Sequence, residues 1–341
     1  MTNSQNELNN KITKTASQSF SRIGFALTAM LLSSLLVQFA IVFISELIAG
    51  KDNAFLSSSW GMWLLSFAPI YFVAYPLTLL ILKKLPSTKP LGEDLSTKQF
   101  LSYFAIAVCL MYIGSYIGSF LSAILSNGQS VNSLNDYVSD TNPIKIIIMV
   151  VLGPLAEEYI FRKQLIDKTH IFGEKTAVLL SALIFGLVHT NMYQFFYAFL
   201  LGALFSYIYI RTGKLRYSMI LHTFINFMGS VVAPYVLSKI DVDKINELAN
   251  ADLSAMSVEE MNNIYSSLMP SMVLSLSYTA VMGGLAFFGF FLLFRKSRQT
   301  VWKKTILELP ENTSATTVYM SKGIISFITI AAALTIASVF L

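Results

Sequence analysis

Nine long apolar stretches dominate this chain and follow one another with short polar links. They lie at 23–49, 60–82, 100–125, 144–164, 175–190, 192–210, 217–238, 271–294 and 323–341. A helix needs about 20 apolar residues to cross the hydrocarbon of a bilayer, so the sequence predicts an all-α, polytopic transmembrane helical bundle of eight to nine spans. The fifth stretch is short and nearly continuous with the sixth, which suits a tight hairpin whose turn stays below the far surface. Only 13% of residues are charged, against roughly 25% in soluble domains. Length alone would suggest two or three soluble domains; the spacing of the apolar runs favours one membrane domain over 23–341, preceded by a polar segment 1–22.

Lysine and arginine orient the bundle. With the N-terminus inside, 20 of the 24 basic residues fall in the inner segments, and only Lys51, Lys145, Lys239 and Lys244 fall outside. That asymmetry alternates correctly over every loop, as expected when the N-terminus is cytosolic and the C-terminus extracytoplasmic in a cell-membrane protein. The net charge of +5 therefore belongs to membrane topology and implies no nucleic-acid partner; the bilayer is the expected surrounding. The single cysteine, Cys109, excludes an intramolecular disulfide and a cysteine-based zinc cluster. Residues 127–142 read as a flexible outer loop, and residues 239–269 as an acidic extracytoplasmic loop with short amphipathic helices. In the third span, Gly114 and Gly118, extended by Ser122, have the small-residue spacing that lets two helices approach closely.

The fourth to seventh spans contain few ionisable or strongly polar residues: Glu157, Glu158, Arg162, His189, His222 and Asn226. A charged residue at the centre of a spanning helix costs roughly 2.5–3.5 kcal/mol on insertion scales, so an adjacent glutamate pair there needs partners or a task. Glu158 and Arg162 are four apart and share a helix face; Glu157 is rotated about 100° from that face. Gly153-Pro154 opens the hydrogen-bond ladder one turn earlier, and such breaks persist where they line a wet cavity. His222 and Asn226 are also four apart. The third histidine, His170, falls in a basic loop and reads as a solvated side chain.

This set suits hydrolysis. Glu158 holds the Arg162 charge and leaves Glu157 to act as general base toward water. A histidine orients that water, and a histidine with an asparagine amide stabilises the developing oxyanion. The bland readings are a buried ion pair that fixes helix register, interhelical hydrogen bonding by His222 and Asn226, and core packing by His189. On the same helix measure, His189 lies about 21 Å along its helix from Lys175, while Glu157 lies only about 7 Å from Arg162. The residues meet only if the fourth helix continues to about Lys168 or the helices tilt.

Three motifs occur in order: Glu157-Glu158-Tyr159-Ile160-Phe161-Arg162, Phe185-Gly186-Leu187-Val188-His189, and His222-Thr223-Phe224-Ile225-Asn226. They match EExxxR, FxxxH and HxxxN without departure. In this the chain resembles the CAAX-protease and bacteriocin-processing family, also called the Abi family, of intramembrane proteases, over about residues 143–235. The resemblance implies roughly eight helices around an intramembrane cavity open to the cytosol, and hydrolysis of a peptide bond in a membrane-associated or lipidated peptide or protein. It implies Glu157 as the water-activating group, Glu158 and Arg162 in support, His189 positioning water, and His222 with Asn226 at the oxyanion. No cofactor is required by that reading; zinc on Glu157, His189 and His222 is the metal-dependent alternative. Two other classes fit the composition: a non-proteolytic scaffold or bacteriocin-immunity protein on the same fold, and a secondary transporter relaying protons.

Overall fold

A computed structural model describes residues 3–50, 54–56, 58–132, 143–144, 146–250 and 256–340. Within them all regular structure is helical. The elements are α1 (Asn3–Ala49), α2 (Ser59–Leu82), α3 (Thr97–Leu125), α4 (146–169), α5 (Glu174–Val188), α6 (Met192–Thr212), α7 (Leu215–Leu237), α8 (Val242–Asn250), α9 (Val258–Ser297), α10 (Glu311–Tyr319) and α11 (Lys322–Ala337). Among the described residues six helices are long and apolar enough to span a bilayer, or seven if the bent pair α10–α11 is one span. The eight to nine spans expected included the stretches of α4 and α5, which this count leaves out. The helix at 146–169 is interrupted by changes of pitch, and α5 has 15 residues, about 22 Å of helix. The large apolar side chains on α1, α2 and α9, such as Phe39, Phe72 and Phe287, point outward, as they must where the surroundings are lipid.

Several boundaries differ from the sequence reading. The polar segment 1–22 is not separate from the first span: α1 runs unbroken from Asn3. Ala16, Phe20 and Ile23 form a stripe on one face, and all three are fully buried. The outer loop expected to reach residue 269 ends earlier, because Ser257 and Glu260 form a reciprocal capping box that starts α9 at Val258. The amphipathic helix expected in that loop is present as α8, while 251–255 lie outside the described residues. Most of the expected loop 127–142, with Asn135, Asp136 and Asp140, also lies outside them. What is described of it begins with a left-handed turn at Asn127 and Gly128.

Among the described residues the bundle has two large packed cores and a smaller one, in which Ile166 of α4, Ala177 and Val178 of α5, and Tyr209 and Ile210 of α6 meet. One large core joins α1, α2, α4, α5 and α11 through Phe20, Phe161, Phe172, Phe185 and Phe327. The other joins α3, α6, α7 and α9 through Ile106, Phe205, Ile208, Leu221 and Met282. At the heart of the molecule α6 lies between α3 and α5. The α3–α6 contact depends on the small-residue step: a Cβ at Gly114 would lie 2.3 Å from the Tyr197 Cα, and one at Gly118 would lie 2.9 Å from the Met192 carbonyl oxygen. Any larger residue would force the two backbones apart.

Candidate active site

The site helices are widened next to their prolines. Proline lacks an N–H and its ring clashes with the carbonyl four residues earlier, so the preceding turn opens to i→i+5 pitch. Pro76 follows the wide turn Pro69–Ala74 of α2, Pro154 follows Ile146–Leu152 of α4, and Pro234 follows Met228–Val232 of α7. A fourth wide turn, Tyr159–Gln164, has no proline and lies between Glu158 and the end of α4. Wide turns of this kind often accompany functional sites. Here they surround the glutamate pair. The helix then continues through Leu165–Thr169, which meets the length that the sequence argument required.

Glu158 and Arg162 are both fully buried, with Arg162 Nη2 3.2 Å from Glu158 Oε1. The guanidinium also lies over the Phe185 ring, 4.2 Å from its centroid, and 5.7 Å from that of Phe205. These two phenylalanines belong to different cores, so the ion pair sits at the seam between them. The same Glu158 oxygen accepts from His222 Nδ1 at 3.0 Å. That bond leaves His222 Nε2 facing Glu157, 3.7 Å from its Oε2. Sequence spacing had paired Glu158 with Arg162 alone; the structure makes it the centre of three charged or polar groups from α4 and α7.

Glu157, His189, His222 and Asn226 line a single cavity of about 360 Å³, within the usual range for ligand sites. His189 caps α5 with its ring 5.1 Å from that of Phe185. Asn226 Nδ2 donates to the Met149 carbonyl at 2.8 Å. One of its two amide hydrogens therefore ties α7 to α4 and is not free for substrate. Among the described residues no group of three His, Cys, Asp or Glu side chains is arranged to hold a metal ion. His170 lies in the 3-10 turn after α4, and its Nδ1 donates to the Ile166 carbonyl at 2.9 Å; it does not line the cavity.

The cavity runs from Glu157 toward one end of the bundle. Its outer lining comes from Asn132, Met149, Gln194 and Ser230, at the ends of α3, α4, α6 and α7 that lie away from the basic segments 83–96 and 211–217. Beside it, sharing Phe67 and Ile148, lies a larger groove of about 990 Å³ between α2 and α4, with almost wholly apolar walls that include Trp60, Trp63 and Leu155. Trp63, Phe67, Tyr71 and Tyr75 form a ladder of ring contacts along α2. The sequence reading missed these aromatics and the cavity-lining Tyr193 and Tyr197. The i, i+4 spacing of Tyr193 and Tyr197 on the helix after His189 was the available signal.

At the opposite end, the α6–α7 turn is held by acidic anchors. Asp94 accepts from Lys214, Arg216 and Tyr217. The Lys214 hydrogen bond foremost, then those of Tyr217 and Arg216, hold its carboxyl well below the usual range. Asp167 accepts from the Tyr209 hydroxyl at 2.8 Å, and Glu174 pairs with Arg211 at 2.6 Å. These contacts fix the start of the helix that carries His222.

Residues 139–228 match the family described as type II CAAX prenyl endopeptidase Rce1-like. The chain is 29% identical over 176 residues to the putative membrane peptidase YdiL of Bacillus subtilis (strain 168), covering 49% of this chain and 69% of that protein. It is 28% identical over 187 residues to the membrane-embedded CAAX protease MroQ of Staphylococcus aureus (strain USA300), covering 51% of this chain and 75% of that protein. No solved structure matches the chain significantly.

Proposed function

The chain belongs to the CAAX-protease and bacteriocin-processing family of membrane endopeptidases, and from that premise we propose that it hydrolyses a peptide bond by a water that Glu157 activates. The observation that carries this mechanism is the convergence of Glu157, His189, His222 and Asn226 on one cavity inside an apolar bundle. The water oxygen attacks the scissile carbonyl carbon while its proton passes to Glu157, and the carbonyl π pair moves onto oxygen. His189 orients the water from the cavity wall. His222, carrying a proton on each ring nitrogen so that Nδ1 donates to Glu158, donates from Nε2 to the oxyanion together with the remaining amide hydrogen of Asn226. The pair then returns, the C–N bond breaks, and the proton on Glu157 goes to the departing amine. Glu158 accepts from His222 Nδ1 and so fixes which face of the ring looks into the cavity. No step passes through a metal.

The substrate is a membrane-associated peptide. We place its scissile bond in the cavity and its apolar portion, a lipid chain or a hydrophobic segment, in the groove between α2 and α4. Support comes from the continuity of the two spaces through Phe67 and Ile148. The charge pattern supports an inside N-terminus. With that orientation we read the cavity as extending toward the extracytoplasmic side, where the family resemblance implied a cytosol-facing one.

The test compares wild type with Glu157→Gln on membrane-anchored peptides, with and without chelator. Glu157→Gln is expected to lose cleavage by about 10²–10⁴-fold while the thermal midpoint stays unchanged. Retained cleavage by the variant removes the proposed base. Loss of wild-type cleavage with chelator, restored by zinc, removes the metal-free mechanism.

A further inference from the structure

Tyr197 lines the cavity with Glu157, His189 and His222, yet its hydroxyl has no hydrogen-bond partner among the described residues. One turn earlier on α6, the Tyr193 hydroxyl is already committed, donating to the Ser130 carbonyl at 3.0 Å. Tyr197 is half-buried on the cavity wall, so its phenol takes its hydrogen-bond partner from whatever fills the cavity, water or substrate. The Tyr197 ring packs against both large cores, so its position is fixed while its polar end faces the cavity, within electrostatic reach of Glu157. Its backbone is held from behind, where Gly114 lets α3 approach the Tyr197 Cα so closely. Meanwhile the other donors are partly spoken for: one Asn226 hydrogen goes to Met149, and His222 Nδ1 goes to Glu158.

We propose that Tyr197 is a further catalytic residue, whose phenol donates a hydrogen bond to the scissile carbonyl oxygen as negative charge develops there. The proton stays on the phenol, and the bond strengthens as the carbonyl becomes an oxyanion, so the interaction favours the transition state over the bound substrate. This role gives the glycine step of α3 a function as well: it sets the depth at which the donor stands.

The proposal rests on the hydrolytic reading of the same cavity, and the experiment keeps the two apart. Full-length wild type, Tyr197→Phe and Glu157→Gln are assayed on one membrane-anchored peptide, each with a thermal unfolding curve. Tyr197→Phe removes only an oxygen that makes no hydrogen bond among the described residues. The expected result is a fall in kcat on the order of 10²-fold, the effect of losing one oxyanion donor, with KM and thermal midpoint close to wild type. Incorporating a fluorinated tyrosine at 197, which makes the phenol more acidic, moves the alkaline limb of the kcat profile to lower pH. Full kcat in Tyr197→Phe beside an inactive Glu157→Gln overturns the role of Tyr197 and leaves the hydrolytic reading standing. A change in KM or thermal midpoint without a change in kcat also overturns it, by marking Tyr197 as a packing residue. An active Glu157→Gln overturns the hydrolytic reading itself.

Discussion

Replacing Glu158 by glutamine takes one charge out of a pair that has no water around it. Arg162 Nη2 lies 3.2 Å from the Glu158 carboxylate and both side chains are fully buried, so Glu158→Gln leaves a buried guanidinium without its counter-charge. The Phe185 ring 4.2 Å away is present before and after the change and offsets nothing. Breaking a buried pair from one side costs about 3–5 kcal/mol, and a thermal midpoint lower by on the order of 10 °C follows. Replacing both partners by apolar groups of similar volume is often neutral. The double variant Glu158→Leu/Arg162→Met is therefore expected to unfold within about 1 kcal/mol of wild type. Activity separates from stability at this point. His222 Nδ1 loses its acceptor in the double variant, its ring is no longer held toward Glu157, and cleavage falls at least 10²-fold, roughly the loss of one positioned donor. The assays are thermal unfolding in detergent and cleavage of a membrane-anchored peptide on the same preparations. A Glu158→Gln protein as stable as wild type, or a double variant that recovers full cleavage, would refute the reasoning.

Other consequences can be checked independently. Because Asp94 is held below the usual carboxylate range, its clamp on the α6–α7 turn contributes fully above about pH 4 and is lost as pH falls from there toward the folded value. The wild-type thermal midpoint should drop more steeply below pH 4 than that of Asp94→Asn, and equal slopes would dismiss the clamp. Tyr209→Phe removes the hydroxyl donor of the buried Asp167 and should cost about 1–3 kcal/mol in thermal unfolding. Gly114→Leu drives α3 off α6 at Tyr197 and should destabilise by about 1–3 kcal/mol or more, with cleavage lost in whatever fraction folds. In a Cys109→Ser background, Asn127→Cys at the cavity end should react with an impermeant thiol reagent on intact cells, whereas Ser87→Cys should react only after permeabilisation. The reverse pattern would turn the cavity toward the cytosol.

The apolar helices and the few polar residues set among them were legible because both follow from the solvent. Lipid demands long apolar runs, and the few polar residues placed within them stand out: Glu157, Glu158, Arg162, His189, His222 and Asn226 were found that way. Helical periodicity reports neighbours within one helix, so it paired Glu158 with Arg162 but was blind to the His222 bond from α7. Nor could it see that Asn226 reaches Met149. The wide turns were half legible: Pro76, Pro154 and Pro234 each mark one, but Tyr159–Gln164 has no proline to announce it. The burial of Phe20 and Ala16, which extends α1 through the polar N-terminal segment, depended on partners such as α11 that lie some 300 residues away in the chain.

The buried pair also bears on how the protein is made. When α4 leaves the ribosome it carries two carboxylates and a guanidinium, and nothing yet synthesised provides Phe185, Phe205 or His222 to receive them. Each such charge costs roughly 2.5–3.5 kcal/mol to place alone in hydrocarbon. The segment must therefore linger at the interface or beside the insertion machinery until α5, α6 and α7 follow, with Phe185, Phe205 and His222 lying 27, 47 and 64 residues after Glu158. Assembly of the site and insertion of α4 then become one event, and a chain truncated before His222 should leave this helix outside the bilayer.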